Sequence, residues 1–178
     1  MAYVDVKSNS WKNADGLIVY FGTDEGKATT AGEYRTLGRQ RQYEVDIDLT
    51  TLPTQASGNV QVLDTTWHLP AGCFIESLDI FTTKETAGTN ANLNIGLVKT
   101  DLTVYDDDGI LAAGDDFNGG TDLGTTYTYV KGTTDAGALV GTKLAYNGYL
   151  CAQPDTADFT AGVIKVRINV SLPLSTEV

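Results

Sequence analysis

Ile164-Lys165-Val166-Arg167-Ile168-Asn169-Val170-Ser171-Leu172 decides the fold, because five aliphatic side chains fall on one parity and four polar ones on the other. Successive side chains of a strand point to opposite faces, so the stretch reads as a half-buried β-strand. A slip of one residue would bury Lys165, Arg167, Asn169 and Ser171 together, which pins the register. Tyr43-Glu44-Val45-Asp46-Ile47-Asp48-Leu49 repeats the pattern with an acid at every even position.

Shorter runs rich in β-branched and aromatic residues predict further strands over residues 16–21, 59–63, 66–69, 74–82, 91–98, 126–130 and 148–152. Turn formers separate them, among them Ser57-Gly58-Asn59, Pro70-Ala71-Gly72, Asp108-Gly109, Asn118-Gly119-Gly120 and Asn147-Gly148. No window carries a convincing apolar stripe of helical period. Residues 136–145 come nearest, but Gly137 and Gly141 interrupt them. The expected fold is an all-β sandwich, jelly-roll-like, of about seven to ten short antiparallel strands. Residues 23–41 and 101–125 escape the strand pattern and read as irregular. We therefore expect one structural domain, with residues 1–41 forming an N-terminal strand and irregular arm and residues 42–178 the sandwich body.

Composition narrows the function. The chain has 178 residues, 42% of them hydrophobic and 20% charged, enough for a core without disulfide or metal staples. The longest apolar run, Leu17-Ile18-Val19-Tyr20-Phe21, is too short to span a bilayer. The opening MAYVDVK has no apolar stretch behind a basic patch, so folding in the cytoplasm of synthesis is expected. A formal net charge of -11 repels phosphate backbones and argues against a nucleic-acid partner. The charge is uneven. Residues 1–41 carry six basic and five acidic groups (+1), which leaves six basic and eighteen acidic groups (-12) for the rest.

Candidate chemistry is sparse. His68 is the one histidine, on the opposite side of its segment from Trp67 and Leu69, where a strand-end position explains it without catalysis. The acids of the strands, Glu44, Asp46 and Asp48, sit at solvent-facing phases and read as solvated charge, not as a glycosidase pair. Asp101, Asp106, Asp107, Asp108, Asp115, Asp116 and Asp122 crowd one stretch, yet the ligand spacing of an EF-hand is missing, so no metal and no cofactor is expected. Cys73 and Cys151 read as buried free thiols. Gly22, Gly26, Gly32 and Gly38 match neither a P-loop nor a dinucleotide fingerprint. With Tyr34, Arg35, Arg39 and Arg41 among them, they suit an arm that lies across a partner, since Tyr and Arg favour interfaces. Tyr105, Tyr127, Tyr129, Tyr146 and Tyr149 offer an alternative, in which loop aromatics stack on sugar rings.

Across nearly its whole length the chain also resembles the small virion proteins that tailed phages encode close to their major capsid protein. The likeness lies in the order of VKSNSWKNADGLIVYFGT, YEVDIDLTTL, LDTTWHLPAGCFIESLDIF, ANLNIGLV, YDDDGILAA, GALVGTKLAYNGYLCAQ and FTAGVIKVRI. The resemblance implies a head decoration or cement protein on the capsid surface. It implies a homo-oligomer, dimer or trimer, whose partner is the major capsid protein and which brings no catalytic residues. The alternative is a receptor- or glycan-binding accessory of the virion, a head fibre or tail module; a β-sandwich hydrolase stands third, without a converging acid/base pair.

Overall fold

Ile164, Val166, Ile168 and Val170 are each no more than 1% exposed, as their alternation demands, and the strand that carries them is central to the molecule. The structure, a computed structural model, describes residues 10–12, 18–20, 40–114, 117 and 121–172. The chain divides into two units, residues 1–37 and 38–178. Of the first, the structure describes a two-stranded antiparallel hairpin, β1 (Ser10–Lys12) and β2 (Ile18–Tyr20).

The second unit is a sandwich of two four-stranded antiparallel sheets. One sheet has the order β3 (Gln40–Asp48), β10 (Ala161–Ser171), β5 (Phe74–Ala87), β8 (Thr126–Val130). The other has the order β4 (Gln61–Val62), β9 (Gly148–Asp155), β6 (Asn92–Lys99), β7 (Val104–Gly114). Their facing sides build one core. Ile47, Ile75, Leu78, Ile80 and the aliphatic row of β10 come from the first sheet, and Leu93, Ile95, Leu97, Leu111 and Leu150 from the second. Removing such large apolar side chains from water, at about 25 cal/mol per Å², is the main force holding the sheets together.

The outer face of the first sheet is a polar ladder. Lys165 Nζ donates to Glu44 Oε1 at 2.7 Å and Arg167 Nε to Glu44 Oε2 at 2.6 Å, while the Arg167 guanidinium lies 4.4 Å from the Phe81 ring centre. Asn169 Nδ2 donates to both Ser77 Oγ and Asp79 Oδ2, and Thr128 Oγ1 donates to Asp79 Oδ1. The strand acids are thus partly paired within the sheet.

Two expectations need correction. Residues 101–125 are not wholly irregular, because β7 runs from Val104 to Gly114. Its alternation is hidden by a wide bulge: Leu97 faces Asp106 and Ile95 faces Leu111, so two steps along β6 match five along β7. Asp108-Gly109 lies inside this bulge and is not a hairpin turn. Residues 66–69 do not form a strand either; Leu69 alone bridges Gly148. Asp64 Oδ1 accepts from both the backbone N–H and the hydroxyl of Thr66, each at 2.7 Å, and this local turn competes with extended pairing. Residues 136–145 contain no helix, and Leu139 and Val140 instead fill the core.

The bulge fits because two neighbours lack side chains. A Cβ on Gly96 of β6 would stand 2.1 Å from the Asp106 carbonyl oxygen, and one on Gly137 would stand 2.2 Å from the Gly109 carbonyl carbon.

Candidate functional site

Of the four residues expected at a partner, Tyr34, Arg35 and Arg39 lie outside the described residues. Arg41 is exposed on β3, opposite Val170. It belongs to a regular strand that starts at Gln40, although the sequence pattern placed it in the arm.

The row at which β3 begins defines one end of the sandwich. Gln40 pairs with Ser171, and Ser171 with Phe74, the first residue of β5. Residues 140–144 tie this end to the second sheet: the Gly141 N–H donates to the Ile75 carbonyl at 2.8 Å and the Leu144 N–H to the Cys73 carbonyl at 2.8 Å. Beyond them Gly148 opens β9 and pairs with Lys99, the last residue of β6. The turn from β6 into β7 also stands here, closed by the Leu102 N–H on the Lys99 carbonyl at 2.9 Å.

An aromatic cluster caps that end. The Tyr105 hydroxyl accepts from the Ala145 N–H at 3.0 Å, the Tyr105 and Tyr146 rings meet edge to face with centres 5.3 Å apart, and the Lys99 ammonium sits 4.5 Å from the Tyr146 ring centre. Cation–π and edge-to-face contacts together hold the exposed Tyr146 ring in one orientation. Leu102 at the turn adopts a left-handed backbone (φ 66°) and is 61% exposed. A residue with a Cβ bears about 1 kcal/mol of strain or more in that conformation, and an exposed leucine recovers none of it by burial.

On the outer side of the second sheet the bulge gathers three of the seven clustered acids. Carboxylate oxygens of Asp106, Asp107 and Asp108 lie within 4.8 Å of one another. Asp101 is elsewhere, accepting from the Thr103 N–H and hydroxyl; Asp122 is exposed beyond β7, and Asp115 and Asp116 lie outside the described residues. Gln153 Nε2 donates to Asp107 Oδ2 at 2.8 Å. Burial, then a hydrogen bond that the protonated Asp106 carboxyl donates to Asp108 and the nearby charges of Asp108 and Asp107, push the Asp106 carboxyl up to about 6.

The raised Asp106 makes a pH prediction. The native state takes up a proton near pH 6 that the unfolded chain takes up only near 4, so stability falls as pH rises through 6 and grows as pH drops from 7 to 5. Glu44, Asp48, Asp64 and Asp101 are held below their ordinary values by hydrogen bonds, Glu44 first from Lys165 and then from Arg167. Their stabilisation is lost only below about pH 4.5, outside this window. Thermal melts should show a higher midpoint at pH 5 than at pH 7, and Asp106→Asn should flatten the difference; an unchanged slope in that variant would refute the assignment.

The remaining candidates are structural. Cys73 and Cys151 are free and fully buried, and burial pushes their thiols up to about 11 and about 12, so both stay protonated and unreactive at neutral pH. His68 is exposed, its ring edge-on to Tyr149. An open cavity of about 480 Å³ lies along β8, lined by Tyr127, Thr128, Tyr129, Gly132, Thr133, Thr134 and Asp135. Its two tyrosines do not present stacking faces: Tyr129 is 4% exposed, and Tyr127 packs against the buried Phe117. Among the described loop tyrosines only Tyr146, at 51%, is markedly exposed. Nothing in the sequence periodicity separates it from the others; the signal is its place between Lys99 and Tyr105.

No protein-family model matches the chain, and no curated protein matches it by sequence. Solved structures do match the fold. The chain is similar to one in the capsid of Ralstonia phage GP4, with a TM-score of 0.51 and 15% identity over 78% of this chain and 87% of that one. It is similar also to one in the cyanophage Pam1 capsid asymmetric unit, with a TM-score of 0.50 and 14% identity over 85% of this chain and 98% of that one. A chain in the acidic stable capsid structure of Helicobacter pylori bacteriophage KHP30 aligns more loosely, with a TM-score of 0.44 and 13% identity over 76% and 90%. At such identities the first two likenesses establish a shared β-sandwich architecture.

Proposed function

We propose that the chain is a structural protein of a tailed-phage virion, which decorates and stabilises the capsid by binding the outer surface of major capsid protein subunits. The observation that carries this reading is the shared sandwich, which spans most of this chain and nearly all of a chain from the Pam1 capsid. The strand order supports it too. Numbering the sandwich strands one to eight, the sheets read 1-8-3-6 and 2-7-4-5, the interleaving expected of a jelly roll.

The mechanism is adhesion. A rigid double sheet offers a plate that does not deform under load, and repeated contacts set by capsid symmetry add up through multivalency. Tyr34, Arg35, Arg39 and Arg41 supply basic and aromatic contacts from the N-terminal side, while the acidic body keeps a crowded particle soluble. The chain works as a dimer or trimer without a cofactor, bound to the virion surface after synthesis in the host cytoplasm.

Quantitative mass spectrometry of purified virions tests the assignment. The chain should be present at a fixed ratio to the major capsid protein, one set by the symmetry of the shell. Its absence from virions, or a trace and variable amount, would rule the assignment out.

A further inference from the structure

Large exposed apolar side chains are distributed unevenly over the sandwich. Six occur among the described residues: Phe74, Leu102, Val104, Leu123, Val130 and Tyr146. Five stand at the end where β3 begins. Phe74 opens β5, Val130 closes β8 opposite Ser77, Leu102 and Val104 form the turn into β7, and Tyr146 covers Lys99. Leu123 is the exception, next to Gly124, whose N–H donates to the Thr82 carbonyl toward the far end of β5.

Four basic side chains of the sandwich have no ion pair among the described residues, and three of them follow the same polarity. The sandwich from residue 42 onward has six basic side chains, Lys84, Lys99, Lys131, Lys143, Lys165 and Arg167. Lys165 and Arg167 are tied to Glu44 and Asp46 in the middle of the sheet, and Lys84 lies at the far end opposite Val163. The other three are all at the apolar end: Lys99 over Tyr146, Lys143 bridged to Phe74, and Lys131 following Val130 against Gly141. Arg41 joins them.

We infer that this pole, rather than either sheet face, is the docking surface of the sandwich, and that its occupant is a protein surface with apolar recesses rimmed by carboxylates. The inference rests on the virion role proposed above and names the part of the body that meets the shell. Charge complementarity selects the occupant: a body of net charge -12 repels an acidic partner least where Lys99, Lys131, Lys143 and Arg41 gather. Rigidity favours the same pole, because the Tyr105–Tyr146–Lys99 stack is already ordered before contact and so loses little entropy on binding. Leu102 fits too, since a strained, exposed leucine at the tip weakens the free fold and gains its value only when covered. The first strand of the sandwich also begins here, at Gln40.

The test uses the full chain and undecorated phage heads as the probe. Leu102→Asn suits the left-handed turn, and Val104→Thr keeps a β-branched side chain, so the double variant should melt at the wild-type temperature or above. Its affinity for heads should fall at least tenfold. Leu123→Ser, at the opposite pole, should bind as wild type does, and Lys131→Glu with Lys143→Glu should weaken binding and flatten its salt dependence. Wild-type affinity in the Leu102/Val104 variant would overturn the inference while leaving the virion role intact. Failure of the wild-type chain to bind heads would overturn both. A smaller oligomer in light scattering with unchanged head binding would assign the pole to self-association and overturn the inference as well.

Discussion

Replacing Gly96 with valine should cost the fold about 3 kcal/mol, near the upper end of what an overpacked site usually shows. A Cβ there would stand 2.1 Å from the Asp106 carbonyl oxygen and within 2.5 Å of the Asp107 carbonyl group. These are backbone atoms, with no rotamer into which to retreat, so β6 and β7 must separate or the bulge must unwind. Either response disturbs the buried rows on both sides: Ile95 and Leu97 face the core, while Cys151, paired with Gly96, lies beneath the acids of the bulge. For a chain of this length the loss corresponds to a melting midpoint lower by roughly 6–12 °C. Differential scanning calorimetry decides the matter, and a midpoint within a degree of wild type would show that the bulge does not need the close approach.

This prediction also marks where the sequence was legible and where it was not. The alternating rows of β3 from Tyr43 to Asp48 and of β10 from Ile164 to Ser171 are readable because one side of each strand packs toward the core and the other carries the polar residues. β7 is not readable that way. Its acids Asp106, Asp107 and Asp108 arch over the outer side of the second sheet, so parity is lost in the middle, and Asp-Asp-Asp-Gly looks like a turn. The readable clue was across the sheet, where Gly96 sits between Ile95 and Leu97 inside the strand. A glycine inside a strand often marks a close backbone approach.

The candidate site was legible only in part. Arg41 could be chosen from its charge against an acidic background, and it is exposed. Tyr127 and Tyr129 looked equally available as loop aromatics, but they occupy the inward phase of β8 and serve the core. The pole formed by Phe74, Leu102, Val104, Val130 and Tyr146 draws on the ends of three strands and on two loops. Such a surface exists only once the strand order is known, and local pattern carries no trace of it.

The second large effect concerns Arg35, Arg39 and Arg41. Each change to glutamate lowers the charge by two, so the triple variant moves the chain from -11 to -17. If these arginines meet acidic groups on the shell, attraction becomes repulsion at every copy. Binding at low salt should then weaken by about tenfold or more, with the salt dependence reversed in sign. Arg41 is exposed on a strand whose register the core fixes, so the folded body should survive the change.

Co-sedimentation of the purified chain with undecorated phage heads, across a salt series, tests the central claim most directly. The account predicts saturable binding at a copy number set by the symmetry of the shell, weakening as salt rises and nearly lost in the arginine-reversed variant. A wild-type chain that stays in the supernatant at every salt concentration would contradict it.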